Sequence, residues 1–225
     1  GGREVYPVDL VLKFRPGSKP KVNFGTTFAQ DVPPAARSEF EWAAKRLKGS
    51  KRDQAIASLK KAVELFPDYF DALELLGTEY VKSAQYDAAL SVLQHAIDVN
   101  GRAPRSLYAL GVTYLKLNRL PEAVETLEKS LKLDASNPNA QMMLGLALGN
   151  NRQFAEAEEA FRNALQIGGA GVAEAHFYLA GIYDKQQRYA EAARELEMYL
   201  KESKDISDPE KIRAMIAKLN AKAVK

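Results

Sequence analysis

The side chains most often used for catalysis or metal binding are few in this sequence and widely spaced. Its two histidines, His95 and His176, are far apart in the chain, so they do not form a histidine pair at metal-ligand spacing. Both lie in segments with a helical pattern of apolar residues. We therefore interpret each histidine as a structural or surface residue, and we expect no metal site.

Nucleophilic and cofactor chemistry also lack their usual residues. The chain has no cysteine, which excludes a cysteine nucleophile, a zinc–thiolate site, an iron–sulfur cluster and disulfides. The glycine-rich run 168–171 follows a predicted helix, whereas a phosphate-binding loop follows a strand. Adjacent carboxylates such as Glu158 and Glu159 fit a solvated helix face, and no serine has an evident histidine base. We predict that the chain is not an enzyme and uses no cofactor.

Composition places the chain among ordinary globular proteins. It has 225 residues, of which 46% are apolar and 27% charged, and its net charge is +3. This small excess does not indicate nucleic acid as a partner, and no apolar run approaches the roughly 18 residues of a membrane span. The chain begins Gly1-Gly2-Arg3 without an initiator Met, and trimming would have removed a signal peptide. The sequence leaves the location open between cytoplasmic and periplasmic or secreted.

Residues 5–30 have a pattern of their own. The apolar residues Val8, Leu10, Leu12 and Phe14 occupy every second position, with Asp9, Val11 and Lys13 between them. This alternation predicts a half-buried strand. A turn is predicted at residues 15–18, and a second short strand at residues 21–25. Two short strands are marginally stable alone, so the segment either packs on the helices that follow or ends a β domain outside this chain. Packing on a second copy would make segment 5–30 a means of self-association.

The strongest pattern is an internal repeat of about 34 residues. A Leu-Gly or Leu-Ala pair recurs at intervals of 34, 34 and 35 residues. The small residues of these pairs are Gly77, Gly111, Gly145 and Ala180. Each is followed by an alanine, at Ala89, Ala123, Ala157 and Ala192, and then by a large apolar residue, at Leu93, Leu127, Phe161 and Leu196. An earlier copy with a shorter loop runs from Phe40 to Pro67.

Each copy contains two apolar stripes of helical period, separated by a polar break. This spacing predicts a pair of antiparallel helices of about 14 residues each. The small residue of one helix and the alanine of the other let the axes approach to about 8–10 Å, and the large residue fills the space beside them. Because one such pair cannot bury both of its apolar faces, we expect the copies to stack into a solenoid.

An aromatic residue follows three of the small residues, at Tyr80, Tyr114 and Tyr183, and an alanine follows two of the large ones, at Ala96 and Ala164. The order small, aromatic, Ala, large, Ala at this period resembles the tetratricopeptide repeat (TPR) family. The resemblance covers about residues 37–205 as five copies. It implies an all-α fold, a right-handed α-α superhelix, here with a short N-terminal β or extended segment. We divide the chain into an extended segment at 1–34, five helical hairpins at 35–205 and a C-terminal helix at 206–225.

The C-terminal helix has its own start signal. Ser207 and Glu210 have the spacing of a capping box, and Pro209 suits the first turn. Its apolar residues Ile212, Met215, Ile216 and Leu219 share one face. We interpret this helix as the cap that a solenoid needs at its end. The alternative is a basic amphipathic helix for a partner or a membrane surface.

In TPR proteins, the first helices of successive repeats line a concave face that binds peptides or other proteins. By helical geometry, the residues of this chain that correspond to the concave face form an apolar stripe. They are Leu75, Tyr108, Val112, Leu115, Met142, Met143, Leu146, Phe177 and Tyr178. The Lys, Asn and Arg residues of the family's carboxylate clamp are missing, because Glu74, Leu75 and Thr78 occupy their region. The alternative, that the stripe packs between repeats, stays open.

These observations predict a protein–protein interaction scaffold that binds a peptide or protein in an apolar groove. Two alternatives remain. One is a non-catalytic regulatory or substrate-presenting arm of a larger enzyme or secreted multidomain protein. The other is a solenoid that binds carbohydrate or nucleic acid through aromatic side chains, although the stripe lacks the basic surface that nucleic acid requires.

Overall fold

The computed structural model describes residues 28–47, 51–204 and 206–224. These residues form eleven α-helices, and no β-strand occurs among them, which confirms the predicted all-α fold. The predicted strands lie outside the described residues. None of the described helices is long and apolar enough to cross a membrane. The helices are α1 (Pro34–Leu47), α2 (Arg52–Leu65), α3 (Phe70–Lys82), α4 (Tyr86–Val99), α5 (Pro104–Lys116), α6 (Leu120–Leu133), α7 (Pro138–Asn150), α8 (Phe154–Gly168), α9 (Glu174–Lys185), α10 (Tyr189–Glu202) and α11 (Pro209–Ala223).

The described residues form two compact units that divide between Leu73 and Glu74, within α3. In the first unit, α1 packs against α2. The two helices are joined by an ion pair of 2.6 Å between Lys61 and Glu39. The buried alanines Ala36 and Ala43 of α1 allow close packing.

The end of the predicted N-terminal segment lies within this first unit. The ring of Phe28 meets that of Phe70 edge to face, with centroids 5.6 Å apart. The Phe70 N–H donates to the side-chain oxygen of Gln30 at 2.8 Å. Residues 28–30 therefore pack on the start of α3, and the rest of segment 5–30 lies outside the described residues.

The second unit is a stack of helical hairpins, as predicted for a TPR solenoid. Helices α5, α7 and α9 pack against α6, α8 and α10, and the contacts α4–α5, α6–α7 and α8–α9 join consecutive hairpins. The repeated alanines and large apolar residues are all buried, as are Ile212 and Leu219 of α11, which packs on α10. The two apolar stripes of each copy thus face the partner helix and the neighbouring hairpin.

The helix crossing in each hairpin differs from the prediction in one respect. A Cβ atom added to Gly111 would lie 2.6 Å from Cγ of Leu127, and one added to Gly145 would lie 2.8 Å from the ring of Phe161. The large residue of the second helix therefore packs directly on the glycine. The prediction that alanine lies opposite the glycine, with the large residue beside them, is wrong, because a bare glycine surface accepts the larger side chain.

In the four hairpins between α3 and α10, the turn within each hairpin places one residue in the left-handed region. These residues are Ala84 (φ 56°), Asn118 (φ 58°), Arg152 (φ 62°) and Gln187 (φ 63°). The following N–H bonds the carbonyl five positions back, as in Gln85 to Tyr80 at 2.9 Å. This is the Schellman ending of a helix, which usually has glycine at the left-handed position. Ala84 lacks both the freedom of glycine and the polar side chain of asparagine.

Two helices begin with a side-chain cap. The carboxamide of Asn137 accepts a hydrogen bond from the Ala140 N–H at 3.1 Å and so caps the start of α7. For α11, the cap is Asp208, whose carboxylate accepts from the Lys211 N–H at 3.0 Å. The predicted cap at Ser207 is therefore wrong by one residue, because the more acidic neighbour directly precedes Pro209.

We expect Gly111→Ala to lower the free energy of unfolding, because the added methyl group overlaps the buried Leu127 side chain. Overpacking costs about 1–3 kcal/mol, which exceeds the roughly 1 kcal/mol that alanine gains over glycine in a helix. Gly181→Ala is the matched control, since no atom lies within 4 Å of its added Cβ, and it should stabilise. Urea unfolding followed by circular dichroism measures both, and equal shifts would contradict the packing of Gly111.

We expect Ala84→Gly to raise the free energy of unfolding by roughly 0.5–1 kcal/mol. The left-handed conformation costs an L-residue about 1–2 kcal/mol, which glycine avoids. The greater flexibility of glycine in the unfolded chain cancels about 0.5–1 kcal/mol of this stabilisation. Asn118→Gly should change stability less, because asparagine tolerates this conformation. Thermal unfolding of both variants tests the comparison, and a destabilised Ala84→Gly variant would refute it.

Candidate partner-binding groove

The nine predicted groove residues lie on the first helices of the second unit, α3, α5, α7 and α9. Helix α7 lies beside both α5 and α9. We call these nine residues the groove face. Phe177 is 36% exposed and Val112 only 9%, while the other seven side chains are half-buried. Val112 contributes to the core of the unit, and the rest of the groove face retains surface that another molecule can reach.

Three residues of the groove face come together at one cavity. Leu146, Phe177 and Tyr178 line a cavity of about 160 Å³ between α7, α8 and α9, which we call the α7–α9 cavity. The ring of Tyr178 stacks on that of Phe161, with centroids 5.7 Å apart, and meets Phe177 at 6.0 Å. The other six groove-face residues do not line this cavity. The helical register thus identified one aromatic wall of a real depression.

A second cavity was not expected from the sequence. It has about 190 Å³, lies between α9, α10 and α11, and is called here the α9–α11 cavity. Phe177 and Met215, each 36% exposed, line it together with Gly181 and Lys218. The sequence predicted α11 as a cap, with a basic amphipathic helix for a partner or a membrane surface as the alternative. The available signal was the spacing of Phe177, Gly181 and Asp184, which places them on one face of α9.

Polar contacts around Glu158 of α8 hold the helices of these cavities in place. Its carboxylate accepts hydrogen bonds from the Tyr183 hydroxyl at 2.8 Å, from the guanidinium group of Arg188 at 2.7 Å and from that of Arg162 at 3.1 Å. Arg188 also pairs with Glu191 of α10. Burial acts to raise the pKa of Glu158, but the hydrogen bonds from Arg188 and Tyr183 outweigh it and keep the pKa below its usual value.

His176 joins α9 to α10. Its Nδ1 atom lies 2.6 Å from a carboxylate oxygen of Glu195, and its Nε2 atom lies 3.5 Å from one of Glu202. The two glutamates are seven residues apart and so share one face of α10. The sequence alone did not predict the pairing of His176 with Glu195 and Glu202, because it joins different helices. In the described part of the chain, no three or more His, Asp or Glu side chains are grouped so that they could hold a metal ion.

The other residues that were considered for chemistry, His95 and the glycine run 168–171, belong to helices and the turn between them. His95 is half-buried on α4. Helix α8 continues to Gly168, and a 3-10 turn at Gly169–Val172 leads into α9. The glycine run therefore ends one helix and forms the turn between two repeats, with Gly169 at a φ of 50°.

Helix α5 contributes Tyr108 to the groove face. Burial raises the pKa of Tyr108, so its hydroxyl stays neutral at physiological pH and can donate a hydrogen bond. On the same helix, the buried Ser106 hydroxyl donates to the carboxylate of Glu74 at 2.6 Å. This bond ties α5 to α3, and it occupies the acidic group nearest to Leu75.

A larger depression lies among α4, α5 and α6. It has about 760 Å³, and its base contains Leu107, Leu110 and Tyr114. Charged residues surround this base, including Asp98 and Lys129. None of the nine groove-face residues lines it. Helices α4 and α6, together with one side of α5, therefore form a surface that is separate from the groove face.

Comparison with known families identifies the repeat. The model of the family described as tetratricopeptide repeat matches residues 75–138 and 142–207. No curated protein sequence matches the chain significantly.

Solved structures of TPR proteins share the fold. MamA of Desulfovibrio magneticus RS-1 (residues 41 to the end) has a TM-score of 0.70 at 18% identity, covering 76% of this chain and 96% of that one. PilF of Pseudomonas aeruginosa has a TM-score of 0.69 at 20% identity, with coverage of 84% and 86%. YrrB, described as a TPR protein with an unusual peptide-binding site, has a TM-score of 0.67 at 19% identity, with coverage of 83% and 92%.

We expect Glu158→Gln to lower the free energy of unfolding at pH 7 by about 1–2 kcal/mol, because the amide is a poorer partner for two guanidinium groups. A carboxylate whose pKa is depressed in the folded state stabilises the fold above its unfolded pKa of about 4.3. That contribution is lost as the pH falls through the folded pKa. The difference between wild type and variant should therefore shrink as the pH falls from about 5.

The neighbouring Glu159→Gln variant is the control for this measurement, since Glu159 is exposed on the same helix. Urea unfolding at a series of pH values gives both curves. A Glu158→Gln difference that persists unchanged in acid would show that the ionised carboxylate is not the source of the stabilisation.

Proposed function

Because the chain belongs to the tetratricopeptide repeat family, we propose that it is a non-catalytic protein–protein interaction scaffold. Its partner is a peptide or protein that binds along the groove face. Recognition consists of placing apolar side chains of the partner between successive first helices, where water is displaced from both surfaces. Polar residues at the edges of the groove fix the register of the partner.

The observation that carries this proposal is the α7–α9 cavity beside an exposed aromatic ring. Leu146, Phe177 and Tyr178 line it, and Phe177 keeps 36% of its surface exposed. Apolar side chains that remain accessible around a depression are typical of binding sites for a partner's anchor residues. In the free protein, this surface is in contact with water.

The lack of charged residues on the groove face favours an apolar partner over nucleic acid or a terminal carboxylate. All nine residues are uncharged, whereas nucleic acid binding depends on cations that neutralise phosphates. Glu74, which precedes Leu75 in the chain, already accepts a hydrogen bond from Ser106. A groove of this composition selects side chains that gain from burial.

A few positions should contribute most of the binding energy, as in most protein interfaces. We assign this role to Tyr108, Met142, Met143 and Tyr178. Burial of one large apolar side chain contributes about 1.5–3 kcal/mol. The two methionines are half-buried on α7, and their flexible thioethers adapt to partners of different shape.

The proposal is tested by capturing partners from a lysate of the source organism with the immobilised chain. We expect Met142→Lys/Met143→Lys to lose the captured protein, because an ammonium group placed against the partner's apolar side chains is costly to desolvate. The matched control is Asn163→Lys/Gln166→Lys, which adds the same two charges to α8.

The two variants separate the possible sites. Loss with the α7 variant and retention with the α8 variant support the groove face. Equal capture by wild type and both variants would move the binding surface elsewhere, for example to the depression among α4, α5 and α6. Capture of no protein at all would contradict the scaffold function under those conditions.

A further inference from the structure

The two cavities beside α9 share part of their walls. Phe177 and Gly181 line both the α7–α9 cavity and the α9–α11 cavity. Gly181 has no side chain, and no atom lies within 4 Å of the position that its Cβ would occupy. The surface of α9 is therefore low at this point, so that a chain crossing the helix can reach both cavities.

The size of each cavity indicates what it accepts. Their volumes are about 160 and 190 Å³, below the roughly 300–1,000 Å³ of pockets for drug-sized ligands. Each is several times the roughly 30 Å³ that a water molecule occupies in the liquid. Volumes in this range suit a single large side chain, and the aromatic and methionine walls favour an apolar one.

The polar groups at these cavities leave an excess of positive charge. Asp184 is paired with Lys222 at 2.9 Å. Lys185 lines the α7–α9 cavity and lies 5.7 Å over the ring of Phe154, and Lys218 lines the α9–α11 cavity. Neither Lys185 nor Lys218 forms an ion pair with another described residue. Two ammonium groups beside apolar depressions complement an acidic partner.

The distance across α9 sets the spacing of the two anchors. A helix with its side chains is about 10 Å wide. An extended chain of the polyproline II type rises about 3.1 Å per residue and has three residues per turn, so residues three positions apart lie on one side at about 9 Å. Such a chain can place one side chain in each cavity while its backbone passes over Gly181.

We propose that the groove binds an acidic, extended peptide segment with two large apolar side chains three positions apart, one in each cavity beside α9. An Asp or Glu next to these anchors pairs with Lys185 or Lys218. This inference rests on the proposed function and adds the chemistry of the partner. It also gives α11 a part in binding, through Met215 and Lys218.

Selection from a random-peptide library displayed on phage, with the full chain immobilised, tests this inference without a known ligand. The enriched sequences should share two large apolar residues at the stated spacing and an excess of Asp and Glu. The strongest peptide is then synthesised with a fluorescent label, and its affinity for each variant is measured by anisotropy.

Two pairs of variants separate charge from shape. Lys218→Glu should weaken binding by about tenfold, whereas Lys211→Glu makes the same charge change on α11 outside both cavities and should have little effect. Gly181→Leu should weaken binding by about tenfold as well, because its side chain occupies the shared wall. Gly171→Leu adds the same side chain at a glycine that is equally open but lines neither cavity, and it should have little effect.

The outcomes distinguish this inference from the proposed function. Enriched peptides without the acidic excess or the spacing, or equal effects of Lys218→Glu and Lys211→Glu, would overturn the inference alone. Peptides that bind with equal affinity to wild type, Gly181→Leu and Met142→Lys/Met143→Lys would overturn the groove as the binding site. Failure to enrich any peptide would overturn both.

Discussion

The contact between a bare glycine and a large side chain organises the second unit. In the hairpin of α7 and α8, Phe161 packs directly on Gly145. The same ring stacks on Tyr178 of the next hairpin. One side chain therefore sets the distance between two helices and supports a residue of the groove face. A larger residue at Gly145 would displace Phe161 and with it the wall of the α7–α9 cavity.

Polar contacts hold helix α9 against α8 on one side and against α10 on the other. Glu158 receives hydrogen bonds from Tyr183 and Arg188 on one side. His176 contacts Glu195 of α10 on the other. These bonds are satisfied within the protein, so the walls of both cavities are already ordered before a partner binds. Such preorganisation lowers the entropy cost of binding.

The helical period predicted which residues share one side of the first helices. A stripe with the register of the Leu-Gly pairs includes Leu146, Phe177 and Tyr178, which the structure brings to one cavity. The period does not say what covers each residue. Val112 satisfies the same register and is buried, whereas Met215, on a helix interpreted as a cap, lines a cavity with Phe177. Coverage depends on neighbouring helices, whose side chains are distant in sequence.

The sequence by itself determined the fold class, the number of residues in each repeat and the pairing of helices, because small and large residues recur at a constant spacing. Only the tertiary structure decided that Leu127 rather than an alanine lies on Gly111, that Asp208 rather than Ser207 caps α11, and that two cavities meet over Gly181. These features depend on side-chain volumes, hydrogen-bond geometry and contacts between helices, which a linear period does not encode.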